Sequence, residues 1–164
     1  MPTAIEPDLL RVVRSEFHLC WRGTHGAPHW ARVRVNGLVL ARRMNTNPRI
    51  VELFAFLHDA RRWNDWDDPD HGHRSAELVE ELGPKWLRLS KPDVGHLACA
   101  CRDHSSGRRD AHPSVQVCWD ADRLDLGRVG TRPDPARLSR APEEVCGMYG
   151  CLKDGLICLD GSAD

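Results

Sequence analysis

The chain has 164 residues, 41% of them apolar and 29% charged, a balance that excludes a disordered segment and predicts one domain burying roughly 70% of its unfolded surface. Its formal charge of -1, from 23 Lys and Arg against 24 Asp and Glu, excludes a chain-wide polycation and predicts no extended nucleic-acid binding. The longest apolar run, Leu53 to Leu57, falls far short of the roughly 20 residues that span a bilayer, and the start MPTAIEPDLLRVV lacks a secretory layout. The expected location is therefore cytoplasmic, without membrane association. Seven Cys in such a chain read as reduced and mostly buried. The bias of 20 Arg over three Lys (Lys85, Lys91, Lys153) reads as background composition.

Periodicity predicts helices throughout. Residues 7–19 align Leu9, Leu10, Val12, Val13 and Phe17 on one face, behind the start signals Pro7 and Asp8. A second helix runs from about Pro28 to Arg43, with Gly37 supplying a small-residue contact in its middle. Pro48 opens a third, a buried core helix over 50–62. The acidic loop NDWDDPDHGH follows, and a fourth helix covers Gly72–Leu82 before Gly83-Pro84. A fifth spans Pro92–His104 and a sixth Ser114–Leu126. TRPDPARLSRAPEE holds at most a short helix around Ala136–Arg140, and MYGCLKDGLICLDG is either a pair of extended pieces or a closing helix. No segment alternates with period two. The expected fold is all-α, one compact domain of six to eight helices with its core over 7–130, on which a Pro-rich extension, 131–164, packs.

The core helix ends its apolar run in His58-Asp59. A neutral imidazole beside a hard carboxylate oxygen suits Mn, Fe, Co, Ni or Zn, but two adjacent ligands cannot complete a site. Further candidates lie on other helices: His29 before the doublet, and Asp122 or Asp120, in the cluster DADRLD, after it. Taken in order, HWARV, LHDARRW and DADRLDLGRVG resemble the HD superfamily of metal-dependent phosphohydrolases, over residues 25 to about 130. The resemblance implies His29, His58, Asp59 and Asp122 as metal ligands. Asp122 is preferred to Asp120 because the family's last ligand precedes a basic and then an apolar residue, here Arg123-Leu124. In dinuclear members two intervening His hold a second ion, a role that falls to His71 and His104. The alternative for these two is a helix-start or phosphate-binding residue and a helix-end residue.

A phosphoryl substrate asks for cations beside the metal. Arg123, Arg62 and Arg74 are the candidates, with Arg61, Arg108 and Arg109 expected to face solvent. Asp59 is expected to orient water while ligating, and Asp65 is a candidate base. His25 reads as a loop residue bonded locally; His18, His96 and His112 read as surface or packing residues, and His73 points elsewhere. Trp63 and Trp66 flank the doublet and are candidates for a base-binding slot. Cys146, Cys151 and Cys158 match no common zinc module, and Cys99 and Cys101 point apart on a helix. The expected activity is hydrolysis of a small phosphorylated substrate, such as a nucleotide, with one divalent ion or two. The alternatives are an HD-type diiron oxygenase and a non-catalytic HD-fold binding module.

Overall fold

A computed structural model describes residues 5–139. The expected C-terminal packing of residues 140–164, the tail elements and Cys146, Cys151 and Cys158 lie outside the described residues. Those residues form six α-helices and two short 3-10 turns, with no strand among them: α1 (Pro7–Glu16), α2 (Ala27–Arg43), α3 (Pro48–Leu57), α4 (His71–Leu87), α5 (Lys91–Asp103), α6 (Pro113–Arg123), then turns at Leu126–Val129 and Pro135–Arg137. No helix among them is long and apolar enough to cross a membrane.

Local chemistry explains the starts. Proline occupies the first turn of α1, α2, α3, α5 and α6, where its missing N–H costs nothing and its fixed φ is already helical. Asn47 accepts the Arg49 amide at 3.0 Å to cap α3, and Ser90 accepts the Asp93 amide at 3.2 Å to cap α5. The His112 ring does the same for α6, its Nδ1 accepting the Ser114 amide at 3.3 Å. The α4 backbone breaks at Gly83 (φ 67°, ψ 179°) and resumes at Pro84. The expected stop is thus present as a break, in a conformation open to glycine and strained for other residues.

Helix α3 is the axle. Ile50, Val51, Leu53, Phe54, Ala55 and Leu57 are all fully buried, and α3 packs against α2, α4, α5 and α6. Burying each large apolar side chain contributes about 1.5–3 kcal/mol. Helix α2 crosses α3 at Gly37, where an added Cβ would fall 2.2 Å from Val51 Cγ1 and 3.3 Å from Ala121 Cβ. Asn36 Nδ2 donates to the Ala121 carbonyl at 3.3 Å, locking α2 to α6. Trp30 closes the other flank, its ring 4.9 Å from Phe17 and 5.2 Å from Trp21.

Two expected boundaries move, both beside the candidate ligands. Helix α3 stops at Leu57 rather than near residue 62. The next amides bond at three-residue spacing, Ala60 to Leu57 and Arg62 to Asp59, so His58 and Asp59 sit on a tightened turn. Helix α6 stops at Arg123 rather than Leu126, and its 3-10 continuation turns Asp125 inward, where it is fully buried.

Candidate metal centre

Five helices deliver polar side chains to one buried point. His29 lies in the first turn of α2, His58 and Asp59 on the turn after α3, and His71 at the start of α4. His104 caps α5, and Asp122 lies in the last turn of α6. All six are buried, His29 and His58 completely. The Nε2 atoms pair: His29 and His58 at 3.0 Å, His71 and His104 at 2.9 Å. Asp59 stands between the pairs. Its Oδ2 is 3.7 Å from His29 and 3.5 Å from His58, while its Oδ1 is 3.4 Å from His71 and 3.6 Å from His104. Asp122 Oδ1 joins the first pair, 3.4 Å from His29 and 3.9 Å from His58.

The outer ring nitrogens decide what the inner ones offer. His29 Nδ1 donates to Asp125 Oδ2 at 2.7 Å, and His58 Nδ1 donates to the Phe54 carbonyl at 3.1 Å. His104 Nδ1 donates to the Cys101 carbonyl at 2.7 Å, and His71 Nδ1 donates to the Asp68 carbonyl. With Nδ1 protonated, each neutral imidazole turns an Nε2 lone pair inward. Two lone pairs facing each other across about 3 Å cannot hydrogen-bond, but one ion with metal–nitrogen bonds of about 2 Å reaches both. Asp59 Oδ1 and Asp122 Oδ1 are likewise buried without a hydrogen-bond partner. The donor set therefore fits a divalent cation: His29, His58 and Asp59 around one position, with Asp122 Oδ1 3.4 Å from His29, and Asp59, His71 and His104 around a second.

Electrostatics keeps His58, His71, Asp59 and Asp122 in their ligating forms. Burial, with His29 and His104 adding to it against the pull of Asp59 and Asp122, lowers His58 to about 3. Burial and the neighbouring His104 also lower His71. Asp59 is driven well below the usual carboxylate range although burial opposes it, because His58, His104 and His29 favour its charge. Asp122 is lowered against burial by His58, Arg128 and His29. His104 alone moves upward: burial opposes its charge, but facing Asp59 outweighs it. It is where a proton competes with a cation.

No family model matches the chain, and no curated protein does. One solved structure does: a predicted HD superfamily hydrolase from an uncultured Thermotogales bacterium. It is 23% identical, the match covers 87% of this chain and 86% of that one, and the TM-score is 0.61. The chain has an HD-domain fold.

Within the HD-domain fold the cluster floors a cavity of about 900 Å³, whose walls include Arg62, Trp66, Arg109, Arg123, Leu126 and Arg128. The cations nearest the ligands are Arg62, with Nη1 3.1 Å from His71 Nε2 and 3.7 Å from Asp59 Oδ1, and Arg128, with Nη1 3.9 Å from Asp122 Oδ1. Arg123 lies on the wall with its fork committed. It donates to the carbonyls of Arg108 and Arg137, the latter at 3.1 Å, and to Ser139 Oγ at 3.3 Å, with Asp120 at 3.5 Å. Asp120 turns toward the chain beyond α6, accepting the Ser139 amide at 2.8 Å.

Several expectations are corrected. Arg74 does not reach the cavity: it pairs with Asp68 at 2.6 Å, donates to the Arg61 carbonyl at 3.1 Å and lies 3.7 Å over the Trp63 ring. That cation-covered ring is no base-binding slot, whereas Trp66, 87% exposed, stands at the cavity rim. Arg61 is not a solvated side chain, since it bridges Glu16 at 2.7 Å and Glu81 at 2.6 Å. His25 bonds far along the chain, to Asp65 at 2.8 Å, which occupies the carboxylate expected as a base. His73 lines the cavity. Asp125 pairs with His29 at 2.7 Å and with Arg32 at 2.6 and 3.0 Å. Sequence reasoning missed Asp125, Arg32 and Arg128 as parts of the site. The available signal was helical spacing, since Arg32 follows His29, and Asp125 follows Asp122, by one turn.

Proposed function

We propose that the chain is a metal-dependent phosphohydrolase acting on a small phosphorylated substrate of about nucleotide size. The observation that carries this reading is the set of four Nε2 atoms gathered around Asp59, which with His71, His104 and Asp122 lines a cavity flanked by Arg62 and Arg128. His29, His58, Asp59 and Asp122 would hold one ion; His71 and His104, with Asp59, would hold a second. A bound divalent ion supplies a Lewis acid for the phosphoryl oxygen and lowers the pKa of water. The chain's own residues do the rest. Arg62 and Arg128 offset the negative charge of the phosphoryl group. Asp59 orients the attacking water, and the buried floor excludes bulk solvent. Arg123 holds the wall of the cavity through its bonds to the Arg108 and Arg137 carbonyls. Water adds to phosphorus, the ester oxygen leaves with a proton, and phosphate and an alcohol result.

The test is metal analysis of protein purified without chelator, then a phosphoester panel on chelator-stripped protein with Mn, Fe, Co, Ni or Zn restored. Metal-dependent phosphate release supports the reading. No release with any ion across nucleotides and sugar phosphates overturns it. Two irons per chain with oxygen uptake would instead favour the oxygenase reading, and a protein that binds no ion the non-catalytic one.

A further inference from the structure

We propose that the guanidinium of Arg62 is a built-in competitor for the second metal position, so that the centre holds one ion tightly and a second only weakly. This rests on the metal-dependent reading above. The two positions share Asp59 but otherwise differ in charge. The first gathers Asp59 Oδ2 and Asp122 Oδ1, and a third carboxylate, Asp125, backs His29. The second has only the other oxygen of Asp59, and its imidazoles are backed by neutral carbonyls, those of Asp68 and Cys101. Arg62 Nη1 addresses two of the three atoms a second ion would need: it donates to His71 Nε2 at 3.1 Å and lies 3.7 Å from Asp59 Oδ1.

This placement is built in. Arg62 is buried, its Nε donates to the Asn64 carbonyl and its Nη2 to the Trp66 carbonyl, both at 2.9 Å. The loop carrying those carbonyls is itself pinned. The Trp63 amide donates to Asp68 Oδ2 at 2.8 Å, the Trp66 amide to Asn64 Oδ1 at 2.8 Å, and Asp68 pairs with Arg74 at 2.6 Å. Two arms of the fork are held by backbone, and the third is aimed at the cluster. Arg128 does not mirror it. Its Nη1 donates to the Asp125 carbonyl at 3.1 Å and stays 3.9 Å from Asp122, beside a position with carboxylates to spare. A fixed positive charge within about 4 Å of a divalent ion opposes binding by a factor on the order of 100 or more at the effective dielectric of such sites.

Calorimetric titration of chelator-stripped full-length protein with Mn²⁺ alone tests this. One ion should bind tightly and a second about 100-fold or more weakly. Arg62→Met should bring the two affinities within about tenfold, chiefly by tightening the weaker event. Arg62→Gln, which keeps an amide donor for the loop carbonyls, should move in the same direction and guards against a misfolded Met variant. His71→Ala should abolish the weak event and leave the strong one. Two equally tight ions in the unaltered protein overturn the proposal, as does an unchanged ratio in a folded Arg62 variant or loss of the strong event in His71→Ala. One tight ion in every variant sinks the role of Arg62 and leaves the metal-dependent reading standing. No binding by the unaltered protein sinks both.

Discussion

Asp125 Oδ2 lies 2.7 Å from His29 Nδ1, on the side of the ring turned away from the cavity. Arg32 grips the same carboxylate at 2.6 and 3.0 Å. This fixes the His29 tautomer and the orientation of its ring as a ligand. Asp125→Ala should weaken metal affinity by about 10–100-fold, the usual effect of removing such a partner. Calorimetry reads this directly, and an affinity within twofold of the parent would remove Asp125 from that role.

Asp59→Ala should do more, because one side chain serves both positions. Metal analysis after gel filtration should find less than about a tenth of the parent's content, since each position loses a charged ligand. The apolar face that packs α3, including Val51, Phe54 and Leu57, is untouched, so far-ultraviolet circular dichroism should keep its helical signal. Retention of one full equivalent would take Asp59 off the ligand set.

Metal-free protein should lose stability as the pH falls below about 6.5. Folded His58 resists protonation down to about 3, whereas the unfolded chain takes up that proton near 6.5. The unfolded state therefore binds more protons between these values, at up to about 1.4 kcal/mol per pH unit for one such group. His71 is shifted in the same direction. His104 is raised and acts oppositely, stabilising at low pH and losing that contribution as the pH rises through its folded value. Asp59 and Asp122 are lowered, so their contribution disappears only at more acid pH. Urea titrations in chelator at pH 7, 6, 5 and 4 should show the decline, flattened in His58→Gln. Equal slopes in the two proteins would contradict it.

Gly37→Ala should destabilise by about 1–3 kcal/mol, the scale of overpacking in a close-packed core. The added carbon would meet Val51 Cγ1 at 2.2 Å, on a β-branched, buried side chain with little freedom to turn away. Chemical denaturation should show a lower midpoint with metal stoichiometry unchanged. A stability within about 0.5 kcal/mol of the parent would mean that α2 and α3 separate more easily than their packing implies.

Helix order and starts were legible because proline acts through its neighbours in the chain, whereas the Asn47 and Ser90 caps emerged only from the structure. The idea that His29, His58, Asp59, His71, His104 and Asp122 belong together came from the His58-Asp59 doublet at the end of an apolar run and from the resemblance of the ordered motifs to the HD superfamily. What stayed hidden depends on contacts across long separations. Arg74 and Arg62 look alike in sequence; Asp68 and Trp63 claim the first, while two loop carbonyls aim the second. His25 and Asp65 meet across 40 positions, and no local spacing announces that pair. Arg128 reaches the site from a 3-10 turn, where helical periodicity no longer applies.

Arg32 and Asp125 are 93 positions apart, so their pairing joins the second helix of the chain to the turn following the sixth. During synthesis at about 5–20 residues per second, a nascent chain that has emerged only as far as α5 already presents His29, His58, Asp59, His71 and His104. It lacks both Asp122 and the carboxylate that steadies His29. An ion at the first position would therefore gain its second carboxylate, and His29 its support, only once the last core helix and the turn after it have emerged.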